Sequence, residues 1–163
     1  MSARDIVAAC QRHLPVHAND CAGFVRAVAK DCSVLLIGDA NSLVDQISRS
    51  ARVLDDGVTA ARAAAAGALV IGGVKAPGHG HVVVVVSGPL NRGRFPYAFW
   101  GQYHAITVGR ETMNVGFTQG HGTINWAFGP KTRDRLVYAA YPISPLLLPR
   151  AGDTEGFLVY TFK

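Results

Sequence analysis

The order of hydrophobic patterns along the chain predicts an α+β fold, with N-terminal helices packed on one side of a C-terminal antiparallel sheet. Two observations predict it. Apolar residues recur with a helical period up to the alanine-rich stretch ending at Gly67, and β-branched runs bounded by glycine and proline take over from Ala68. The 163 residues, 49% of them apolar, suit a single domain spanning 1–163, and a charged fraction of 17% excludes a disordered tail or a coiled coil.

The elements follow in order. Residues 3–12 read as a short helix closed by Leu14-Pro15. His17-Ala-Asn-Asp20 has turn and cap chemistry, and behind it Cys21, Phe24, Val25 and Val28 fall at i, i+3, i+4 and i+7. That spacing predicts a helix from Cys21, with Arg26 and Lys30 on its other face. Leu43, Val44 and Ile47 give a third helix, entered through Asn41 or Ser42. Asp55-Asp56 can cap a fourth over 58–66, which Gly67 ends. Ala68–Ile71 and His81–Ser87 read as central strands, and Asn91-Arg-Gly-Arg94 as a hairpin turn. Shorter strands are expected at 98–108, 113–117, 122–127, 136–141 and 156–162.

The net charge of +5 is uneven: residues 1–81 hold eight basic and seven acidic side chains, and 82–163 hold eight and four. A positive second half suits a polyanionic partner such as nucleic acid, acidic lipid or an acidic wall polymer. No membrane insertion is expected, because the β-branched run Val82–Val86 is five residues long, against about 18–20 for a span. No signal peptide is visible, since Asp5 and Arg12 interrupt the N-terminus. Three cysteines, Cys10, Cys21 and Cys32, are no disulfide framework; at most Cys10 and Cys32 pair.

Cys21 at a helix N-terminus meets unpaired N–H groups and the positive end of the dipole, which favour thiolate and can hold an oxyanion. A lone cysteine on an apolar stripe is more often a core residue. His81 opens the most apolar strand, after Pro77-Gly-His-Gly80, where a ring at the sheet end suits a general base. His79 and His81, at i and i+2, share a strand face and raise a metal site, but no third or fourth ligand accompanies them, so no metal and no cofactor are expected. No Gly-x-Ser-x-Gly elbow and no phosphate-cradling loop is present. A helix-N-terminal cysteine followed 60 residues later by a strand-initial histidine is the layout of papain-like cysteine hydrolases.

Asn19-Asp-Cys-Ala-Gly-Phe-Val25 resembles the nucleophile motif of the NlpC-type cell-wall peptidases, which have a papain-like fold. Gly80-His-Val-Val-Val-Val-Val-Ser-Gly-Pro-Leu90 resembles the histidine strand of one branch, the type VI secretion amidase effectors of family 1. The likeness continues through Asn41–Asp45, Ala65–Ile71 and Thr132–Leu136, and covers about residues 5–150 in order; Ala151–Lys163 has no counterpart. Ala22 stands where most relatives have serine, a change that leaves the backbone N–H intact.

The resemblance implies an antibacterial amidase that cuts the γ-D-glutamyl–meso-diaminopimelate bond of peptidoglycan stem peptides, with Cys21 as nucleophile and His81 as base. It implies a monomer made in the cytoplasm, carried by a type VI secretion tube component to the periplasm of a target bacterium, and blocked in the producer by a cognate immunity protein. The third, imidazole-orienting group falls near Gln102 and His104, with His104 favoured or a backbone carbonyl in its place. Asn41, Ser42, Ser87 and Gly88 are carried over as substrate contacts. Two other classes are weighed beside it. One is a non-catalytic basic module, with Phe95, Tyr97, Phe99, Trp100 and Tyr103 around Arg92 and Arg94 binding an anionic polymer; alternating aromatics are more often a half-buried strand. The other is a papain-like deamidase or transglutaminase, since the pair does not fix the substrate. The resemblance implies no nucleic-acid partner.

Overall fold

A computed structural model describes residues 1–101, 105–108, 111–114 and 120–143. The first helix, α1, spans Ala3–His13; Ser2 caps it, its hydroxyl accepting from the Asp5 amide while the Asp5 carboxylate accepts from the Ser2 amide. A 3₁₀ turn over Leu14–His17 leads to α2, Cys21–Asp31. Helix α3 spans Ala40–Ser48. It is capped by Asp39, two residues before the expected Asn41 and three before Ser42, because the Asp39 carboxylate accepts from both the amide and the hydroxyl of Ser42. Helix α4, Gly57–Ala65, is capped by Asp56 and ended by Gly67 at φ +90°.

Six strands form one antiparallel sheet: β1 (Val53–Leu54), β2 (Leu69–Val74), β3 (His81–Val85), β4 (Tyr97–Phe99), β7 (His121–Thr123) and β8 (Val137–Tyr141). Their order is β1-β8-β2-β3-β4-β7, and β5 (Ala105–Val108) pairs with β6 (Glu111–Asn114) separately. The β2–β3 hairpin sets Val74 opposite His81 and Val70 opposite Val85. The turn after β3 closes with Arg92 and Gly93 both at positive φ and a bridge from Asn91 to Phe95, the geometry of a tight hairpin turn. Strand 122–127 is shorter than expected, since Ile124–Trp126 turns into a 3₁₀ helix. The expected strand over 156–162 lies outside the described residues.

Alternation along β2 and β3 divides the core into two layers. Leu69, Ile71, Val82 and Val84 face Phe24, Val25, Val28, Leu43 and Ile47 of α2 and α3, with Ile6 and Ala9 of α1 beside them. Val70, Val83 and Val85 face the other way, against Ala60 and Ala64 of α4, Trp100, Ile124 and Phe128. The fold class is α+β as expected, but the helices do not all lie on one side. Helix α4 covers the opposite face, because α2 and α3 already fill the other layer. Each fully buried valine or leucine in these layers contributes about 1.5–3 kcal/mol through removal from water. Among the described residues no helix is long and apolar enough to cross a membrane.

Candidate active site

Cys21 is the first residue of α2. Asp20 caps the helix through a 2.7 Å bond from the Gly23 amide. The cap requires glycine there, since a Cβ at position 23 would strike the Asp20 carboxylate and come within 2.9 Å of His17 Nδ1. Gly101 lets the same helix end approach β4, its missing Cβ 2.5 Å from the Asp20 carbonyl and 2.9 Å from Phe24 Cβ. Cys21 is thereby set against β3 and is fully buried.

The group that meets its sulfur is His79, with Nε2 3.7 Å from Sγ, hydrogen-bonding distance for sulfur. Burial pushes the thiol up to about 11. Backbone amides of Val82, Ala22 and Cys21 itself pull it down, and the Asp20 charge pushes it up. Desolvation of this fully covered sulfur thus outweighs the pull of the helix end.

The structure does not bring His81 to Cys21. As the first residue of β3, His81 shares the face of Val83 and Val85, while Cys21 packs among Val82 and Val84. Its ring lies 5.0 Å from that of Phe128 and is completely buried, and neither ring nitrogen has a hydrogen-bond partner among the described residues. Burial, then the neighbouring His79, holds its pKa down to about 3. The i, i+2 argument that set His79 and His81 on one face fails because β3 begins only at His81. Gly78 at φ +81° takes the chain out of the extended path before it, and His79 lies on the α2 side. Sequence reasoning weighed His79 only as a metal ligand; the Pro77-Gly-His-Gly80 turn was its signal. Among the described residues no three His, Cys, Asp or Glu side chains gather as a metal site.

Asn41 and Ser42 lie at the start of α3, beside the histidine turn. The Asn41 amide donates to the Ala76 carbonyl at 2.9 Å and accepts from the Ala76 amide at 3.1 Å, and Ser42 is held by Asp39. The bonds from Ser42 hold the Asp39 carboxyl below the usual range, and nearby His79 adds to this. Ser87 and Gly88 sit exposed beyond the other end of β3, about 20 Å along the strand from His81 at the usual rise per residue. Ser87 lines a cleft with Gln11, Tyr97 and His121, where the Tyr97 hydroxyl bonds His121 Nδ1 at 2.8 Å. His104, Gln102 and Tyr103 lie outside the described residues.

Of the described aromatic residues expected to serve a polymer-binding module, all but the half-buried Tyr97 are core. Phe95, Phe99 and Trp100 are buried, and Arg94 and Arg133 lie over the Phe95 ring at 4.5 and 5.0 Å. Cys10 and Cys32 are buried free thiols in the layer beneath α1 and α2.

No family model matches the chain. Among curated proteins it is similar to the peptidoglycan amidase Tse1 of Pseudomonas aeruginosa, with 38% identity over 134 residues, 82% of each chain.

Proposed function

Because the chain belongs to the family of type VI secretion amidase effectors, we propose that it is a peptidoglycan amidase with Cys21 as nucleophile and an imidazole of the Gly78–His81 segment as general base. The chemistry rests on a helix-N-terminal cysteine with an imidazole 3.7 Å away, and the substrate rests on the likeness to a peptidoglycan amidase.

The bond proposed is the amide between the γ-carboxyl of D-glutamate and meso-diaminopimelate. Cys21 Sγ attacks its carbonyl carbon as the thiol proton passes to the imidazole. The carbonyl π electrons move to oxygen, and backbone N–H groups at the start of α2 stabilise the oxyanion. On collapse the C–N bond breaks, and the imidazolium gives its proton to the leaving diaminopimelyl amine. Water, deprotonated by the same imidazole, then opens the thioester to a γ-carboxylate and the free thiol. With the thiol pKa raised by burial, proton transfer accompanies attack, and an apolar, covered site strengthens each of these interactions.

Two histidines are supported by different observations. His79 has the reach. His81 has the resemblance of its strand to the family's histidine strand, and two buried ring nitrogens without partners; that reading requires its ring to leave Phe128 for the α2 face. His79→Gln and His81→Gln separate them: loss of roughly 10²–10⁴-fold in kcat for one, with the other near wild type, names the base. Delivery to a target periplasm and blockade by an immunity protein belong to the same proposal. Mass spectrometry of muropeptides after digestion tests the bond. New D-glutamyl γ-carboxyl ends and free diaminopimelyl amines are expected; cleavage between glycan and the first alanine would refute the bond assignment.

A further inference from the structure

The six residues between β2 and β3, Lys75–Gly80, lead up to His81 and include His79, and none is in a strand. Two helix side chains hold this turn. The Asn41 carboxamide exchanges a reciprocal pair of hydrogen bonds with the backbone of Ala76, donating at 2.9 Å and accepting at 3.1 Å. It imitates the pairing of a neighbouring strand residue. Only one orientation of the amide makes both bonds, since the flipped amide would set donor against donor and acceptor against acceptor. At the other end of the turn, Gly80 has no room for a Cβ, which would strike Asn41 Oδ1 and lie 2.6 Å from the Val74 carbonyl. The Asn41 amide is thus wedged between the departing and returning strands. One helical turn further along α3, Asp45 holds Lys75 Nζ at 2.9 and 3.0 Å.

We propose that Asn41 is a positioning residue of the proposed amidase, fixing the Lys75–Gly80 turn and with it the distance between Cys21 Sγ and the imidazole that serves it. This rests on the cysteine–histidine reading above and differs from the substrate contact implied by resemblance. Both hydrogen-bonding ends of the Asn41 side chain are engaged with Ala76, so its role is exerted through the turn. A displacement of about 1 Å in a catalytic pair costs on the order of 10²-fold in rate, even from a residue that never touches substrate.

The experiment compares wild type, Asn41→Leu and Asn41→Asp in the full chain. Leucine removes both bonds at similar volume; aspartate keeps the acceptor for the Ala76 amide and loses the donor to its carbonyl. The expected result is a fall in kcat of about 10²-fold for leucine and a smaller one for aspartate, with KM within about twofold of wild type. The second readout is the rate of Cys21 alkylation by iodoacetamide as a function of pH, on a background with Cys10 and Cys32 replaced by alanine. Wild type should show a step in rate below the thiol's own ionisation, supplied by the neighbouring imidazole, that shrinks in aspartate and vanishes in leucine. If Asn41→Leu does not fold, Asn41→Asp alone carries the comparison. A raised KM with unchanged kcat and an unchanged alkylation profile would make Asn41 a substrate contact and overturn the proposal. So would wild-type values throughout. Wall hydrolysis absent from wild type, with the alkylation step still dependent on Asn41, would refute the amidase reading and leave the positioning role standing.

Discussion

A sulfur with no exposed surface and a pKa pushed up to about 11 reacts only when a neighbour takes its proton. For this reason Cys21→Ala and Cys21→Ser should behave alike, each lowering peptidoglycan hydrolysis by at least about 10³-fold, because serine cannot be deprotonated in the same place. Adding the base variant to Cys21→Ala should change little, since the two groups act as a unit. Cys10→Ala and Cys32→Ala should retain hydrolysis, which muropeptide release checks directly; its loss in either, with Cys21→Ala active, would reverse the assignment. Cys21 was legible from sequence because a cap residue, a cysteine and an i, i+3, i+4 stripe fall together at Asp20–Val25. His79 was not, because a period-two argument was extended beyond the point where the strand begins. Gly78, at φ +81°, bends the chain just before that ring, and its dihedral angle is not written in any periodicity.

Between neighbouring elements, the end of α2 and the β2–β3 turn must be held in register for the pair to meet. Asp20→Ala removes the carboxylate that accepts from the Gly23 amide and should lower stability by about 1 kcal/mol, as lost N-caps do. Activity should fall further than stability alone explains, since Cys21 is the next residue; urea titration beside kinetics tests this, and an unchanged kcat would oppose it. Gly80→Ala should reduce kcat markedly, because the new methyl group displaces either Asn41 or the Val74 carbonyl. The helices themselves were legible from capping residues and apolar spacing. The side of the sheet that α4 covers was not: a stripe of alanines, Ala60 and Ala64, fits either face, and the choice falls to the bulk of α2 and α3, which already fill the other layer.

Across the whole molecule, stability should depend on pH from both sides. His81 titrates near 6.5 when unfolded and near 3 when folded, so the unfolded chain binds more protons in between. Its contribution is present above about 6.5 and is lost as pH falls towards 3, with a slope of up to about 1.4 kcal/mol per pH unit. Below 3.8 the depressed carboxyls of Asp5, Asp31, Asp39 and Asp56 add to the loss. Above 9, the raised thiols of Cys21 and Cys32, both near 11 when folded, reverse the sign, since the unfolded chain then loses protons first. Urea midpoints should therefore plateau between about pH 6.5 and 9, and His81→Leu should flatten the acid limb above pH 4. A wild-type midpoint constant from pH 4 to 6.5 would contradict the buried neutral histidine. At this scale the sequence carried the fold class and the family through five ordered motifs, whereas the two-layer core emerged only from the register of β2 and β3.

The large sheet ends in a strand of two residues on one side and three on the other. A stray chain adding to either edge would find rungs for a few hydrogen bonds and then run out of ladder, too short to nucleate fibre-like stacking. The apolar runs that could stack, Leu69–Val74 and His81–Val85, lie in the middle with strands on both flanks. Among the described residues the large sheet thus carries no long templating edge, and its most adhesive segments are the ones flanked by strands on both sides.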